Sequence, residues 1–389
     1  MGYSPHNLRR IFVPFSAERS SIMPRYVHEL SDWPAFHWDA EALAPALAKA
    51  HELQGHLLGR MAAVGFDLRT DANFQTMTTD VLRTSAIEGE VLDPAQVRSS
   101  LAKRLGLDVH GLVPADRHVD GVVEMLLDAT RNCNNKLTAD RLFGWHAALF
   151  PTGRSGMLKI LVGQWRDDST GPMQVVSGSM GREKVHYQAP AAACLKKEMV
   201  AFVKWANTEK SMDPLLKAGL GHFWFVTLHP FEDGNGRLAR AVADLLLARS
   251  DGSPQRFYSM SAQILKERKK YYDLLERSQR GSLDVTEWLS WFLACLQRAM
   301  LASEEMLASV LGKHRFWQTH AKTVFNARQV KVLNKLFDGF EGHLTSGKYA
   351  KLAKTSQDTA ARDLADLVSK KVLKKGKAGG RSTHFVRVN

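Results

Sequence analysis

Apolar residues recur every three or four positions along most of the chain, which is the spacing of helices that bury one face. The first such stretch, residues 40–64, is predicted to close at Gly65. Asp71 then predicts the N-cap of a helix that stops at Gly89, because glycine readily takes the left-handed conformation after a helix. Further helices are predicted from Asp93-Pro94, over 118–150 as a pair divided near 132–135, over 191–206, from Asp213-Pro214 to 228, and over 235–248, 261–279 and 286–311.

Residues 151–190 lose this periodicity, and Gly, Pro and Ser become frequent there. Two segments inside the region, QVVSG at 174–178 and KVHYQ at 184–188, have the residue types of short strands. The sequence therefore predicts a loop-rich β-hairpin between two blocks of helices.

The last part of the chain, residues 312–389, changes pattern again. A helix, a helix–turn–helix and two short strands in this order are typical of a winged-helix domain. The predicted helices cover 327–337, 346–353 and 356–371, and the predicted strands are 372–374 and HFVRV at 384–388.

The segment from His229 to Arg240, HPFEDGNGRLAR, contains several groups that suit phosphate chemistry. The glycines beside Asn235 let the backbone approach a ligand closely, and the helix that starts here exposes free N–H groups, which form an anion site. Arg237 and Arg240 are three residues apart, so they lie on one helical face and can meet the same anion.

Two further side chains complete this constellation. Asp233 can hold a hard cation such as Mg²⁺, and the His229 imidazole can accept a proton at neutral pH. A base, a carboxylate, a phosphate cradle and two guanidiniums together indicate phosphoryl or nucleotidyl transfer.

The segment HPFEDGNGRLAR resembles the signature of the Fic family, His-Pro-Phe-x-Asp/Glu-Gly-Asn-Gly-Arg-x-x-Arg, at every fixed position. The resemblance implies the helical Fic fold over roughly residues 26–311 and transfer of AMP from ATP to a Ser, Thr or Tyr hydroxyl of a protein. It implies that His229 deprotonates the target hydroxyl and that Asp233 positions Mg²⁺ on the α- and β-phosphates. The other roles it implies are phosphate contacts from Gly234, Asn235 and Gly236, a nucleotide contact from Arg237 and a γ-phosphate contact from Arg240.

A second segment, TSAIEG from Thr84 to Gly89, resembles the inhibitory motif of the same family, Ser/Thr-x-x-x-Glu-Gly/Asn. Thr84 and Glu88 are four residues apart, hence on one helical face. The resemblance implies that Glu88 pairs with Arg240 and keeps the γ-phosphate of ATP out of its productive position.

Weaker correspondences concern the rest of the pocket. The resemblance implies a β-hairpin flap, at Val175, Val176, Ser177 and Gly178, that holds the target segment by strand addition. It also implies an adenine and ribose pocket lined by Tyr271, Tyr272 and Gln279, although aromatic residues at helical spacing are more often part of a core.

Composition narrows the class of protein. The chain has 389 residues, 44% of them hydrophobic and 24% charged, as in ordinary globular proteins. Its three cysteines are widely separated, which argues against a disulfide framework and a CxxC metal site. No apolar run approaches the roughly 18 residues needed to span a bilayer, and no secretory signal is evident. A cytoplasmic protein without membrane contact is therefore predicted.

The net charge of +13 is concentrated at one end of the chain. Residues 313–389 contain 17 Lys and Arg against 5 Asp and Glu. A basic winged helix predicts DNA binding, with 356–371 as recognition helix and phosphate contacts from Lys374, Lys375, Lys377 and Arg381. A protein-interaction or dimerisation module is the alternative, since winged helices serve both purposes.

Together these observations predict a mainly α protein: a helical bundle with a small β-hairpin flap, followed by a winged helix. The predicted function is an autoinhibited protein adenylyltransferase that uses ATP and Mg²⁺, acts on a target protein or on its own chain, and can form a homodimer. Removal of AMP, transfer of another phosphate-linked group, and a nucleotide-sensing DNA-binding regulator are the alternatives. The predicted regions are 1–25, an irregular extension in which Met23 is an alternative start, then 26–115 with the inhibitory helix, 116–311 as the catalytic core, and 312–389.

Overall fold

Contacts along the backbone divide the chain into two units, Met1–Ser303 and Glu304–Asn389. A computed structural model describes residues 26–108, 111–169, 171–178, 182, 184–337, 340, 342–376 and 384–388. The predicted extension 1–25 and the predicted phosphate contacts Lys377 and Arg381 lie outside the described residues.

The described part of the first unit is predominantly helical, as the periodicity predicts, and opens with a short 3₁₀ turn at Val27–Glu29. Aspartates cap several of the helices; Asp93, Asp116 and Asp213 each accept a hydrogen bond from a backbone N–H of the first turn. The helices are α1 Ala40–Ala63, α2 Phe66–Ile87, α3 Pro94–Leu105, α4 Arg117–Arg131, α5 Ala139–Leu149, α6 Ala192–Thr208, α7 Pro214–Leu228, α8 Asn235–Asp251, α9 Met260–Lys266, α10 Arg268–Gln279 and α11 Thr286–Thr319, which runs on past residue 303.

Two helix boundaries predicted from sequence are wrong. Helix α2 begins at Phe66 with Gly65 as its N-cap, and Asp71 lies inside it. The predicted single helix over 261–279 is two helices that meet at Glu267, whose backbone leaves the helical conformation at φ −109° and ψ 21°. Tertiary contacts explain this break, because the Glu267 carboxylate binds the Arg298 guanidinium through two nitrogens at 2.7 Å.

Helices α7 and α8 form the centre of the first unit, and nearly all of their residues are buried. Glycines in α7 allow the close approach of neighbouring side chains. A Cβ at Gly221 would lie 2.6 Å from Leu246 of α8, and a Cβ at Gly219 would lie 2.9 Å from Phe292 of α11. The segment between α7 and α8, residues 229–234, is therefore held at the end of a rigid helix pair.

The predicted hairpin is confirmed as an antiparallel pair, β3 Gln174–Ser177 and β4 Lys184–Gln188, which follows a smaller pair, β1 Arg154–Ser155 and β2 Leu158–Lys159. The Tyr187 hydroxyl of β4 donates to the Thr227 carbonyl of α7 at 2.8 Å. This bond attaches the hairpin to the end of α7, two residues before His229.

The second unit contains α12 Ala327–Phe337, α13 Ser346–Ala353, α14 Gln357–Ser369, β5 Leu373–Lys375 and β6 Phe385–Arg387, with the two strands antiparallel. Val332, Tyr349 and Leu364 belong to its buried core. This is the predicted order of elements, and the winged-helix assignment stays a prediction.

The predicted recognition helix, residues 356–371, contains Asp358, Asp363 and Asp366 as well as Arg362, Lys370 and Lys371, and α14 itself ends at Ser369. Three acidic and three basic side chains leave no net positive charge to favour a phosphate backbone. DNA binding therefore stays a prediction that this helix does not support. Within the described ranges, none of the helices is long and apolar enough to cross a bilayer.

Candidate active site

His229 lies directly after α7, in the left-handed conformation with φ 48°. Its Nδ1 is 3.0 Å from the Val226 carbonyl oxygen. Because a carbonyl only accepts, Nδ1 carries the proton and the lone pair of the neutral ring lies on Nε2. Burial lowers the pKa of His229 to about 4. The ring is therefore neutral at pH 7, with Nε2 able to accept a proton.

Arg166 holds the turn that carries His229. Its Nε donates to the His229 carbonyl at 2.8 Å and its Nη2 donates to the Pro190 carbonyl at 2.5 Å, while its own backbone N–H donates to the Pro230 carbonyl at 2.9 Å. The guanidinium is fully buried and also pairs with Asp168 at 3.0 Å. Sequence reasoning missed this residue, because one arginine in an irregular loop forms no recognisable pattern.

The loop between His229 and α8 is closed by Asn235. The Asn235 amide accepts from the Phe231 N–H at 2.9 Å and donates to the Phe231 carbonyl at 2.8 Å. Gly234 has φ 77°, and a Cβ there would lie 2.9 Å from the Phe150 ring. The first hydrogen bond of α8 runs from Leu238 N–H to Gly234, so the N–H groups of residues 235–237 have no partner inside the helix. This geometry suits an anion.

Asp233 lies beside this helix start. One carboxylate oxygen accepts from the Gly234 N–H at 2.5 Å, and the other accepts from the Ser155 hydroxyl, a contact that sequence reasoning missed. Among the residues that the structure describes, no three His, Cys, Asp or Glu side chains converge as a metal site. Asp233 nevertheless fits Mg²⁺, since this ion is commonly held by one protein carboxylate together with substrate phosphates.

Arg240 is buried against α2. Its Nη1 lies 2.7 Å from Glu88 Oε1, its Nε donates to the Thr84 hydroxyl at 2.8 Å and its Nη2 donates to the Thr84 carbonyl at 2.9 Å. Thr84 and Glu88 therefore share one guanidinium, as their four-residue spacing requires. This is the contact that the family resemblance implies.

The Glu88 carboxylate also lies against the start of α8. A Cβ at Gly236 would lie only 2.2 Å from Glu88 Oε1. A negative group in this place is stabilised by the helix N-terminus and by Arg240. In this conformation the Glu88 carboxylate lies at the N-terminal end of α8, beside Gly236.

Arg237 makes a different set of contacts. Its Nη1 lies 2.9 Å from Glu90 Oε2, and its guanidinium lies over the Phe150 ring, 5.2 Å from the ring centre. Glu90 in turn contacts His118 of α4 at 2.6 Å. Sequence reasoning missed Glu90 and His118, because a contact between residues 147 positions apart leaves no trace in local spacing.

The predicted flap residues lie on and after β3. Val176 is buried and Val175 pairs with Tyr187, while Gly178 has φ 111°. The Ser177 hydroxyl lies 2.6 Å from His186 Nε2, and His186 Nδ1 lies 2.5 Å from a Glu276 carboxylate oxygen. This chain of hydrogen bonds connects the hairpin to α10.

The predicted adenine-pocket residues do not share one environment. The Tyr272 hydroxyl lies 3.4 Å from Glu88 Oε2 and 3.4 Å from the Ile87 carbonyl oxygen, so it borders the site. Tyr271 is 1% exposed and its hydroxyl lies 2.9 Å from His222 Nε2. Gln279 is 5% exposed and donates to the Thr227 hydroxyl at 3.3 Å. In this conformation only Tyr272 of the three contacts the Glu88 carboxylate.

Comparison with known families agrees with the motif. Residues 136–247 match the Fic/DOC family, and residues 26–107 match a domain of unknown function (DUF4172). The Fic match contains His229, Asp233 and both motif arginines, whereas Glu88 and Glu90 lie in the other match.

Curated relatives carry the name protein adenylyltransferase Fic. The protein from Culex quinquefasciatus is 25% identical over 231 residues, which cover 57% of this chain and 40% of that protein. The protein from Nematostella vectensis is 31% identical over 115 residues, which cover 28% of this chain and 25% of that protein. The chain thus spans less than half the length of these relatives.

Solved structures of Fic proteins are also similar to this chain. A Fic family protein from Desulfovibrio desulfuricans G20 has a TM-score of 0.47 at 19% identity, covering 88% of this chain and 96% of that chain. Fic-1 from C. elegans has a TM-score of 0.47 at 20% identity, covering 71% and 74%. The family match over residues 136–247 shows that the chain carries a Fic/DOC domain, and the named relatives are similar to the chain over part of their length.

Proposed function

We propose that the protein is an adenylyltransferase that transfers AMP from ATP to a Ser, Thr or Tyr hydroxyl of a target protein. The observation that supports this proposal best is the position of the neutral His229 at the rim of a helix N-terminal anion site that holds two arginines. Its curated relatives are named for the same activity.

The chemistry follows from the positions of these groups. The phosphates of ATP bind the free N–H groups at the start of α8, where Arg237 and Arg240 add positive charge. His229 Nε2 accepts the proton of the target hydroxyl, whose oxygen attacks the α-phosphorus. The new O–P bond forms as the bond to the pyrophosphate oxygen breaks, and pyrophosphate leaves. Asp233 together with the phosphates would hold Mg²⁺, which would supply further neutralisation of negative charge.

The β3–β4 hairpin supports the presentation of a target segment. It is a two-stranded sheet, so each strand pairs on one side only within the described residues. An extended peptide that adds to β3 would be held by main-chain hydrogen bonds rather than by its side chains. Because β4 is attached to Thr227, such a peptide lies close to His229.

Glu88 is proposed to inhibit the enzyme within its own chain. Its carboxylate pairs with Arg240 and lies against Gly236, so it occupies the place of a phosphate. ATP can then bind productively only if Glu88 moves away, which costs the free energy of a largely buried ion pair.

The test is incubation of the purified protein with Mg²⁺ and α-labelled ATP, followed by intact mass and gel autoradiography, with and without a cell extract as a source of targets. Glu88→Gly is expected to increase AMP incorporation, and His229→Ala in the Glu88→Gly background is expected to abolish it while ATP still binds. Glu52→Gly is the matched control, since it also replaces a helical glutamate by glycine but at an exposed position.

Equal incorporation by the His229→Ala variant would contradict the role of this histidine as base. No incorporation in any variant, together with intact ATP binding, would contradict adenylyl transfer. Release of AMP from a modified protein under those conditions would then identify the removal reaction instead.

A further inference from the structure

Glu90 contacts both Arg237, in the first turn of α8, and His118 of α4. One carboxylate oxygen lies 2.9 Å from Arg237 Nη1 and the other lies 2.6 Å from His118 Nε2. Glu90 is separated from Glu88 by Gly89 alone, so two consecutive acidic residues contact the two motif arginines, one each. Whether both glutamates weaken phosphate binding depends on the other contacts of each arginine.

His118 lies between two acceptors. Nδ1 lies 3.1 Å from the Leu149 carbonyl oxygen, and Nε2 lies 2.6 Å from the Glu90 carboxylate. The contact with Glu90 raises the pKa of His118, which favours the protonated ring. Glu90 thus connects His118 of α4 to Arg237 of α8 through one carboxylate.

The pair of Glu88 and Arg240 differs from this cluster in two ways. It is neutral, because one carboxylate meets one guanidinium. In addition, each of the three nitrogens of Arg240 lies within 3 Å of Glu88 or Thr84, so these residues of α2 and its C-cap hold the guanidinium. This contact must break before Arg240 can bind a phosphate.

Arg237 has one N–H group, at Nε, that remains available to a ligand. Its side chain is 7% exposed, and its buried Nε has no hydrogen-bond partner among the described residues. Glu90 holds the guanidinium at Nη1, and the Phe150 ring fixes its plane. A buried N–H without a partner is costly in the free protein, and an anion at the start of α8 would satisfy it.

We propose that Glu90 and His118 are positioning residues that hold Arg237 with its Nε edge toward the phosphates of the nucleotide. They therefore strengthen ATP binding, whereas Glu88 weakens it, although Glu88 and Glu90 are separated by one residue. This inference rests on the proposed function in that the ligand is the phosphate chain of ATP. Within the segment Glu88-Gly89-Glu90, Glu88 thus hinders the binding of the ATP phosphates and Glu90 promotes it.

The experiment measures the Kd of ATP by calorimetry in Glu88→Gly, and then in the same background with Glu90→Gln or His118→Gln added. Glu90→Gln keeps the shape of the side chain and removes its charge. The Kd of ATP is expected to rise about 10-fold for Glu90→Gln, since losing one hydrogen bond between charged groups costs on the order of a factor of 10 in affinity. His118→Gln is expected to act in the same direction with a smaller effect.

A double-mutant cycle with Arg237→Lys separates positioning from general loss of structure. Lysine has no Nε edge to orient, so Glu90→Gln is expected to change the Kd little once Arg237 is replaced. Equal effects of Glu90→Gln with and without Arg237 would overturn the proposal. Far-UV circular dichroism and melting temperatures of the same variants identify any that fail to fold.

The sign of the change in the Kd of ATP shows whether Glu90 promotes or hinders ATP binding. Tighter or unchanged ATP binding in the Glu90→Gln variant would overturn the proposal, and tighter binding would make Glu90 a second inhibitory residue. Because the readout is ATP affinity, it remains interpretable if AMP transfer itself is not found. Failure of the Glu88→Gly variant to bind ATP at all would overturn the proposed function, and this inference with it.

Discussion

Replacement of Gly236 by alanine tests whether the Glu88 carboxylate occupies the N-terminal end of α8. The new Cβ would lie 2.2 Å from Glu88 Oε1 and 3.3 Å from Arg240 Nη1. A carbon and a carboxylate oxygen cannot approach this closely, so the Glu88 carboxylate must move by about 1 Å or more, which displaces it from its present position against Arg240. The same substitution is harmless if Glu88 is absent.

The expected magnitude follows from the burial of the pair. Loss of one partner of a buried ion pair costs about 3–5 kcal/mol. The cost here is expected to be about 2–3 kcal/mol, because Glu88 is 17% exposed and Arg240 keeps its two bonds to Thr84. Alanine is better than glycine in a helix by about 1 kcal/mol, which offsets part of this loss.

A double-mutant cycle compares four proteins: wild type, Gly236→Ala, Glu88→Ala and the double variant. Their unfolding is measured without nucleotide by urea titration and by melting temperature. Gly236→Ala is expected to destabilise the wild type by about 1–2 kcal/mol, and to leave Glu88→Ala unchanged or stabilise it by up to about 1 kcal/mol. Alanine rather than glycine is used at position 88 so that the freedom of the unfolded chain changes little.

The coupling between the two substitutions is thus expected to be about 1–3 kcal/mol. A coupling near zero would refute the reasoning, because it would mean that the Glu88 carboxylate does not lie against Gly236 in solution. Destabilisation of both backgrounds by the same amount would point to a backbone effect at residue 236.

Three further predictions follow from the site. Burial lowers the pKa of His229 to about 4, so transfer by the Glu88→Gly variant is expected to stay level from pH 8 down to about 5 and to fall as pH drops through 4, which initial rates would show. Arg166→Lys is expected to lower kcat by about 10-fold or more with a smaller change in the KM for ATP, because a lysine cannot bind both the His229 and Pro190 carbonyls; an equal rise in KM would contradict this. Asp244 of α8 is buried and pairs with the buried Arg256 at 3.0 Å. Burial raises the pKa of Asp244 to about 8, so the native state binds more protons than the unfolded chain between about pH 4 and 8 and stability falls as pH rises across that window. Asp244→Asn is expected to flatten the change in melting temperature between pH 5 and 8, and an unchanged slope would show that another group carries it.

The sequence determined the features that depend on neighbouring residues. Helix starts at Asp93 and Asp213, the left-handed end at Gly89 and the strand pair after residue 173 were all predicted correctly, because caps, turns and alternation act over a few positions. The motif from His229 to Arg240 was found for the same reason, since its groups lie within twelve residues.

Boundaries failed where a neighbouring element decides the outcome. Asp71 is a good capping residue, yet α2 already starts at Phe66 because Gly65 is extended directly after α1. Tyr271 and Tyr272 are adjacent in sequence, and only their packing turns one into the core and the other toward Glu88. Local propensity contains no information on these contacts.

Only the tertiary structure determined which residues the arginines of the motif contact. Arg240 meets Thr84 across 156 positions and Arg237 meets Glu90 across 147, while Arg166 reaches the turn at His229 from a loop without any pattern. Such contacts arise when α2 packs beside α8, and their energies depend on burial and on distances of less than 3 Å. Spacing along the chain predicts which groups are available, and the packing of helices determines which of them meet.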